Sequence, residues 1–379
     1  GLLSKLLNTY VENLHALALR HHSGLPFING SFSLSTTRTG RLSSAAPSLQ
    51  QIPNKGAGAV KRLFTSRYGK DGLLVQADYS QIELRLTASV SGDRNMLAIY
   101  RDGLDIHKNT MKAVFHMKDA DCDRLEKDDP GAYKLRRTVA KRVNFGVVYG
   151  IGADGIVSLL RTEGILVTED EAREYIQRMF AAYPGVKRWI DRTHRQLEVD
   201  GFVQTPLGRK RRLPPVFSKD NSHVARAKRQ GTNDLIQSPA SDLMLTALIR
   251  LDEILLERGL RAAPILTVHD SVLLDCHRKD ADAAIRAVSG IMENIGRHIP
   301  EVWGGGVDAG FVAKVPIKAD VEAGVTWRDL VPIDPSARDL ELDKAVAQSI
   351  AKRNEGDAIL WKQADLYTEE TVRLQPKVA

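Results

Sequence analysis

The chain has 379 residues, 43% of them hydrophobic and 27% charged, and carries a formal net charge of +7. This is the composition of a soluble globular protein, and the cationic surplus favours an anionic partner such as nucleic acid. Two cysteines, Cys122 and Cys276, match no zinc spacing and no disulfide framework, which suits a reducing compartment, and no apolar run approaches the roughly 20 residues that span a bilayer. The start, GLLSKLLNTY, lacks the basic region and small-residue cleavage site of a signal peptide, and Gly1 in place of Met is expected of a processed or excised chain.

In chain order, residues 2 to about 20 place apolar residues at helical spacing until Gly24-Leu25-Pro26. A polar, β-prone stretch from Asn29 to Thr39 leads into TGRLSSAAPSLQQIPNK, Thr39 to Lys55, whose Ser, Gly and Pro content reads as loop. As a surface linker it would be unremarked, yet its sparing charge and Gln50-Gln51 pair also suit a backbone that follows a nucleic acid groove. Leu73 to Ala77 is a short apolar strand running into Asp78-Tyr79-Ser80, and QIELRLTASVSG is a helix ending near Gly92. Asp78 reads either as a helix N-cap or as a carboxylate projecting from a strand end into a cleft.

Asp105-Ile106-His107 opens another helix, where a lone His is more often a structural hydrogen-bonder than a ligand. Residues 117 to 131 are charged and read as an exposed connection. From Arg137 to Gly150 runs RTVAKRVNFGVVYG, with Arg137, Lys141, Phe145 and Tyr149 four residues apart. On a helix each such step advances about 6 Å and drifts about 40°. Two cations and a ring on one stripe suit a nucleoside triphosphate, although a basic amphipathic helix with core-facing rings has the same pattern. Thr168 and Glu171 form a capping box whose helix stops before Pro184. Arg209 to Arg212 is a basic cluster, either solvated or facing a phosphate backbone.

Helical patterns resume over 222–233 and 238–258, with Gly259 as C-cap. APILTVHDSVLLDC, Ala263 to Cys276, reads as a tight hairpin with His269 and Asp270 at its tip. A helix from about 280 to 298 and a strand over 317–322 complete an α+β layer. Residues 331–379 are charged and helix-prone, with Trp361 as their main apolar feature. There is no repeat and no Walker sequence, and Gly150-x-Gly152 follows a helix instead of opening one, so it is not a dinucleotide fingerprint.

Two carboxylates at β-element ends can hold a pair of divalent cations about 3.5–4 Å apart, an arrangement for in-line phosphoryl displacement, and a helix bearing Arg137 and Lys141 can neutralise a triphosphate. The implied chemistry is attack of a hydroxyl on an α-phosphate with pyrophosphate leaving.

At this point the sequence resembles the polymerase domain of family A DNA polymerases, over about residues 5 to 330. DYSQIELR, RTVAKRVNFGVVYG and VHD are similar to the family's first catalytic motif, fingers helix and third motif. TGRLSS, LQQIP, DIH, AYPGVKRWI and TPLGRKRRLP follow in the family's order. The resemblance implies an α+β right-hand fold: an antiparallel palm sheet with helices, mostly helical fingers, and a thumb largely absent. The expected division is 1–72 thumb base and N-terminal palm with the primer-template loop, 73–92 palm with the first motif, 93–216 fingers, 217–330 palm with the third motif, and 331–379 a C-terminal extension.

By the same resemblance Asp78 and Asp270 ligate two Mg²⁺ ions, Mn²⁺ being an alternative, with help from the Tyr79 carbonyl. Arg137, Lys141 and His107 bind the dNTP triphosphate, and Lys141 also protonates the leaving pyrophosphate. Phe145 packs on the incoming sugar, Tyr149 sits near the templating position, and Gln81 joins the dNTP site. Glu83 is the steric gate that crowds a 2′-hydroxyl. Arg41, Gln50, Arg229 and Gln237 contact the primer-template, and His269 touches the primer terminus.

Three departures bear on this. Ser271 stands where the family usually has Glu, removing a negative charge near the metals. The short segment before TGRLSS implies weak, salt-sensitive DNA binding and a separate polypeptide supplying thumb or exonuclease. The third is the extension past 330; Ser48, where the family often has Asn, is a smaller change. The expected partners are primer-template DNA and dNTPs, with no membrane, in the cytoplasm of a bacterial or phage-infected cell. The competing readings are a non-catalytic DNA-binding polymerase subunit and a single-subunit RNA polymerase, the latter opposed by Glu83.

Overall fold

The computed structural model describes residues 26–52, 57–304, 307 and 309–356, together with Leu14 and Ala18. The expected helix over 2–20 lies outside the described residues except at those two helical positions, and so does Trp361. A small ribbon opens the described chain, β1 (Ser31–Ser33) pairing antiparallel with β2 (Ser43–Ala45). The stretch read as loop therefore contains a strand, followed by a 3-10 turn at Leu49–Gln51.

β3 (Gly72–Tyr79) is the central strand of the main sheet. Leu73, Val75, Ala77 and Tyr79 face the larger core, and Leu74 faces a second cluster with Leu266, Leu273 and Trp327. A strand covered on both faces loses polar alternation, which is why LLVQA reads as a plain apolar run. Gln81, in the left-handed region at φ 54°, turns the chain into α1 (Ile82–Ser91), which ends on Gly92 at φ 64°. The N-cap reading of Asp78 is thereby excluded, because Asp78 lies within the strand.

The next seven helices build a helical body: α2 (Arg94–Arg101), α3 (Ile106–Phe115), α4 (Asp119–Asp128), α5 (Pro130–Val148), α6 (Ala153–Thr162), α7 (Glu169–Ala182) and α8 (Pro184–Asp200). The capping box at Thr168 and Glu171 forms as expected. The charged stretch 117–131, by contrast, is mostly helix α4. One buried residue, Cys122 against Met111 and Ala140, docks it, a contact too sparse to give a sequence period.

After the ribbon of β4 (Phe202–Gln204) and β5 (Lys210–Arg212) comes α9 (Asn221–Glu257). Two helices are expected here; the structure has one of 37 residues with Pro239 inside it. Ile236, Ala240, Leu243 and Met244 are buried around the proline, so packing carries the helix past the lost hydrogen bond. Gly259, at φ 61°, follows its end.

β6 (Ala262–Val268) and β7 (Ser271–His277) form the expected hairpin. The helix expected over 280–298 is two, α10 (Ala281–Glu293) and α11 (Ile295–Trp303), divided at Asn294. β8 (Ala319–Gly324) and β9 (Val331–Ile333) complete an antiparallel sheet of order β6-β7-β3-β8-β9. The sheet thus continues past 330, so a division there cuts through it. Residues 342–356 are helical and pack back on it, Ser349 Oγ accepting from Val325 N at 3.0 Å.

Candidate active site

The register of β3 organises the site. Asp78 lies opposite Ser271 on β7 and opposite Asp320 on β8. Val268 pairs with Ser271, so His269 and Asp270 make a two-residue turn, with His269 at φ 55°. Tyr79 N–H donates to the Asp270 carbonyl at 3.0 Å, which holds the turn against the end of β3. Side chains alternate along a strand, so Gln76, Asp78, Asp320 and Glu322 share one sheet face.

These carboxylates act on one another. Asp78 is open to solvent on one side but is lodged among protein atoms on the other. Partial burial, then the Asp270, Asp320 and Glu322 charges, push its pKa up to about 7. Asp270 is partly relieved by Arg41, whose Nη2 lies 3.1 Å from Asp270 Oδ1 and 2.8 Å from Glu83 Oε1. Burial opposes the Arg41 charge, but Asp270 and Glu83 outweigh it and raise the guanidinium pKa. Glu83, 6% exposed, also accepts from the Tyr149 hydroxyl. A chain of contacts therefore links Asp270, Arg41, Glu83 and Tyr149.

Among the described residues no three His, Cys, Asp or Glu side chains gather as a ready-made metal cage. Two hard carboxylates still fit Mg²⁺, which is held through one or two carboxylates and completes its shell with substrate oxygens and water. The mutual crowding felt at Asp78 is the situation a divalent cation relieves. Tyr79 turns its ring into the core, its hydroxyl buried without a partner, so only its main chain is placed to serve the site. Ser271 is buried and donates to the Val268 carbonyl at 2.9 Å, which stitches the hairpin.

On α5, Arg137, Lys141 and Phe145 fall along one stripe, and Tyr149 is the C-cap. Arg137 gives two hydrogen bonds to Asp105 Oδ2, at 2.7 and 3.0 Å. The other oxygen of Asp105 accepts from His107 N–H and caps α3. Burial would raise the Asp105 pKa, but Arg137 and the His107 and Lys108 amides bring it below the ordinary value. Lys141 is exposed, with no ion-pair partner among the described residues. The Phe145 ring lies 5.9 Å from His107 and 6.4 Å from Tyr149, nearly parallel to the latter. His107 is buried; desolvation first, then Arg137 and Lys141, lower its pKa to about 4 in spite of Asp105.

The remaining expected residues are spread around this centre. Gln50 bridges Ser44 N–H and the Thr267 carbonyl and so ties the β2 loop to β6. Arg41, Gln50, Thr267 and His269 line a narrow crevice. Gln81 accepts from the Tyr100 hydroxyl at 3.2 Å and faces α2. Gln237 hydrogen-bonds Tyr149, and Arg229 lays its stem on Gly150. Within the basic cluster Arg209 is only partly solvated and is not free, since it pairs with the buried Asp242.

Sequence reasoning missed Asp320 and Glu322, which only the β3–β8 register brings beside Asp78, and Asn144, a buried polar residue in the middle of α5. The N-cap pattern at Asp105 was legible, but its hold on Arg137 was not.

The family model described as DNA polymerase family A matches residues 2–329. The chain is 35% identical to a DNA polymerase of Bacillus phage SP01 over 310 residues, 80% of this chain and 32% of that protein. It is also 35% identical to DNA polymerase I of Geobacillus stearothermophilus over 329 residues, 86% of this chain and 34% of that one. It therefore spans about a third of the length of these relatives. Among solved structures, the POL domain of Pol1 from M. smegmatis, in complex with DNA primer-template and dNTP, is similar with a TM-score of 0.71 and 27% identity, over 86% of this chain and 51% of that one.

Proposed function

The chain belongs to DNA polymerase family A, and from that premise we propose that it is a template-directed DNA polymerase, adding deoxynucleotides to a primer 3′-hydroxyl with release of pyrophosphate. Its fold is the right-hand one of that family, an antiparallel palm sheet with helices and a mostly helical fingers region. We assign 93–216 to the fingers, and 73–92 with 217–333 to the palm, the last strand included. The observation that carries the reading is the meeting of Asp78 and Asp270 at one end of β3 and β7, joined to α5 through Arg41, Glu83 and Tyr149.

In this reading Asp78 and Asp270 hold two Mg²⁺ ions, or Mn²⁺, with the Tyr79 carbonyl beside them. When bound, such a pair stabilises the attacking and leaving oxygens of an in-line displacement. The chain's own residues do the rest. Arg137, Lys141 and His107 receive the triphosphate, which competes with Asp105 for Arg137. Lys141, without an ion-pair partner among the described residues, gives a proton to the departing pyrophosphate in this reading. Phe145 offers its face to the sugar, and Gln81 backs the pocket.

Glu83 is pinned from two sides by Arg41 and Tyr149 and cannot swing away from a 2′-hydroxyl. That fixity is what a steric gate needs. In this reading Arg41, Gln50, Arg229, Gln237 and His269 contact the primer-template, and the net charge of +7 favours that partner. Among the described residues no helix is long and apolar enough to cross a membrane. The likeness to bacterial and phage polymerases supports placing the protein in the cytoplasm.

The test is primer extension at low salt with Mg²⁺, using dNTPs and rNTPs in parallel and Asp270→Ala as control. Extension with dNTPs alone, lost in the variant, is expected. DNA retarded in a gel without any extension would favour a non-catalytic binding subunit instead.

A further inference from the structure

Behind the α5 stripe a line of buried polar groups runs back from His107, and beyond His107 the proposed mechanism uses none of them. His107 Nδ1 faces Asn144 Nδ2 at 3.1 Å. Asn144 Oδ1 lies 2.9 Å from Thr110 Oγ1, which lies 2.9 Å from the Tyr183 hydroxyl. All four residues are at most 3% exposed. Among the described residues His107 Nε2 has no hydrogen-bond partner.

The placement of the Asn144 amide sets the order of this line. Thr110 Oγ1 lies 2.9 Å from both Asn144 Oδ1 and the Ile106 carbonyl. With Oδ1 turned toward Thr110 the hydroxyl proton goes to the amide oxygen and the Tyr183 phenol donates to Thr110. The amide nitrogen then faces the imidazole, and Nδ1 is the acceptor. A neutral ring with Nδ1 accepting carries its proton on Nε2. Burial and two neighbouring cations keep the ring neutral. Were the amide reversed, Nδ1 would hold the proton and a lone pair on Nε2 would oppose an incoming anion.

We propose that Asn144 is a positioning residue that locks His107 in the neutral Nε2–H form, so that this nitrogen donates a hydrogen bond to a phosphate oxygen of the nucleotide. The donor role rests on the reading of His107 as a triphosphate ligand; the lock itself does not. A neutral donor orients the triphosphate without adding a third repelling charge beside Arg137 and Lys141.

The experiment is ¹⁵N-edited NMR of the histidine-labelled chain at pH 7, with the His107 signal assigned by its loss in His107→Gln. The wild type is expected to show Nε2–H. Asn144→Asp turns a donor into an acceptor, and is expected to move the proton to Nδ1 and raise KM for dNTP about tenfold, the loss of roughly one hydrogen bond to a charged group, with a smaller change in kcat. Thr110→Val, close in shape, removes only the hydroxyl that orients the amide; mixed forms and an intermediate KM are expected. It also serves if Asn144→Asp does not fold. An Nδ1–H wild type overturns the proposal, as does an Asn144→Asp variant with wild-type signal and KM. An unchanged dNTP KM in His107→Ala would overturn the ligand reading and the donor role with it, leaving the lock to be judged from the NMR signal.

Discussion

The crowding of carboxylates around Asp78 makes a prediction about stability. A carboxyl moved from its ordinary 3.8 to about 7 corresponds to a ceiling of about 4 kcal/mol at 1.36 kcal/mol per pH unit. Asp78 has one open face, and solvent screening there reduces the figure to about 1–2 kcal/mol. The sign follows from proton binding. Between the unfolded and folded pKa values the native chain holds a proton that the unfolded chain has released, so stability falls as pH rises from about 4 to about 7 and is level above. Asp78→Asn lacks this loss. Thermal melts of both proteins from pH 5 to 8, at low salt with EDTA, should find the variant more stable at pH 8 by about 1–3 °C, and the gap should close toward pH 4. Added Mg²⁺ should stabilise the wild type and move the variant less, because a bound cation relieves the same repulsion. A variant less stable than wild type at pH 8, or a gap independent of pH, would refute the reasoning.

Four further outcomes are expected. Lys141→Ala should leave stability within about 0.5 kcal/mol, since this exposed side chain has no ion-pair partner among the described residues, while kcat/KM for dNTP falls on the order of 100-fold; a melt beside steady-state kinetics separates the two. Glu83→Ala should lower dNTP-over-rNTP selectivity on the order of 100-fold, measured by paired single-nucleotide incorporation. Asp93, 2% exposed, accepts from Met96 N at 2.9 Å and Gly185 N at 2.6 Å; Asp93→Ala should cost about 2–4 kcal/mol in urea unfolding, and Asp93→Asn distinctly less. Arg209→Ala strands the buried Asp242 and should cost about 3–5 kcal/mol by the same assay, with the double change to Leu at both positions less severe.

The placement of the candidate site's groups was legible in the sequence because its motifs are local. DYSQIELR places a carboxylate where a strand meets a helix, VHD places another at a two-residue turn, and a four-residue spacing aligns Arg137, Lys141 and Phe145. Each depends on backbone geometry within a dozen residues, as do the Thr168 capping box and the apolar run of β3. What the sequence leaves open is what each group faces. Nothing near Asp78 in the chain announces Asp320, 242 residues later, yet the β3–β8 register sets them side by side. Arg41, expected as a primer-template contact, lies between Glu83 and Asp270 and pairs with both.

The same division holds for the fold. By itself the sequence determined the strand–helix alternation, the hairpin and most helix starts, since period, caps and turn residues act over one or two turns of chain. Tertiary structure decided whether α9 survives Pro239, whether a charged stretch becomes α4, and whether the sheet ends at 330 or takes in Val331–Ile333. In each case local propensity is weak or opposed, and the deciding free energy comes from apolar surface covered by residues far away in the chain.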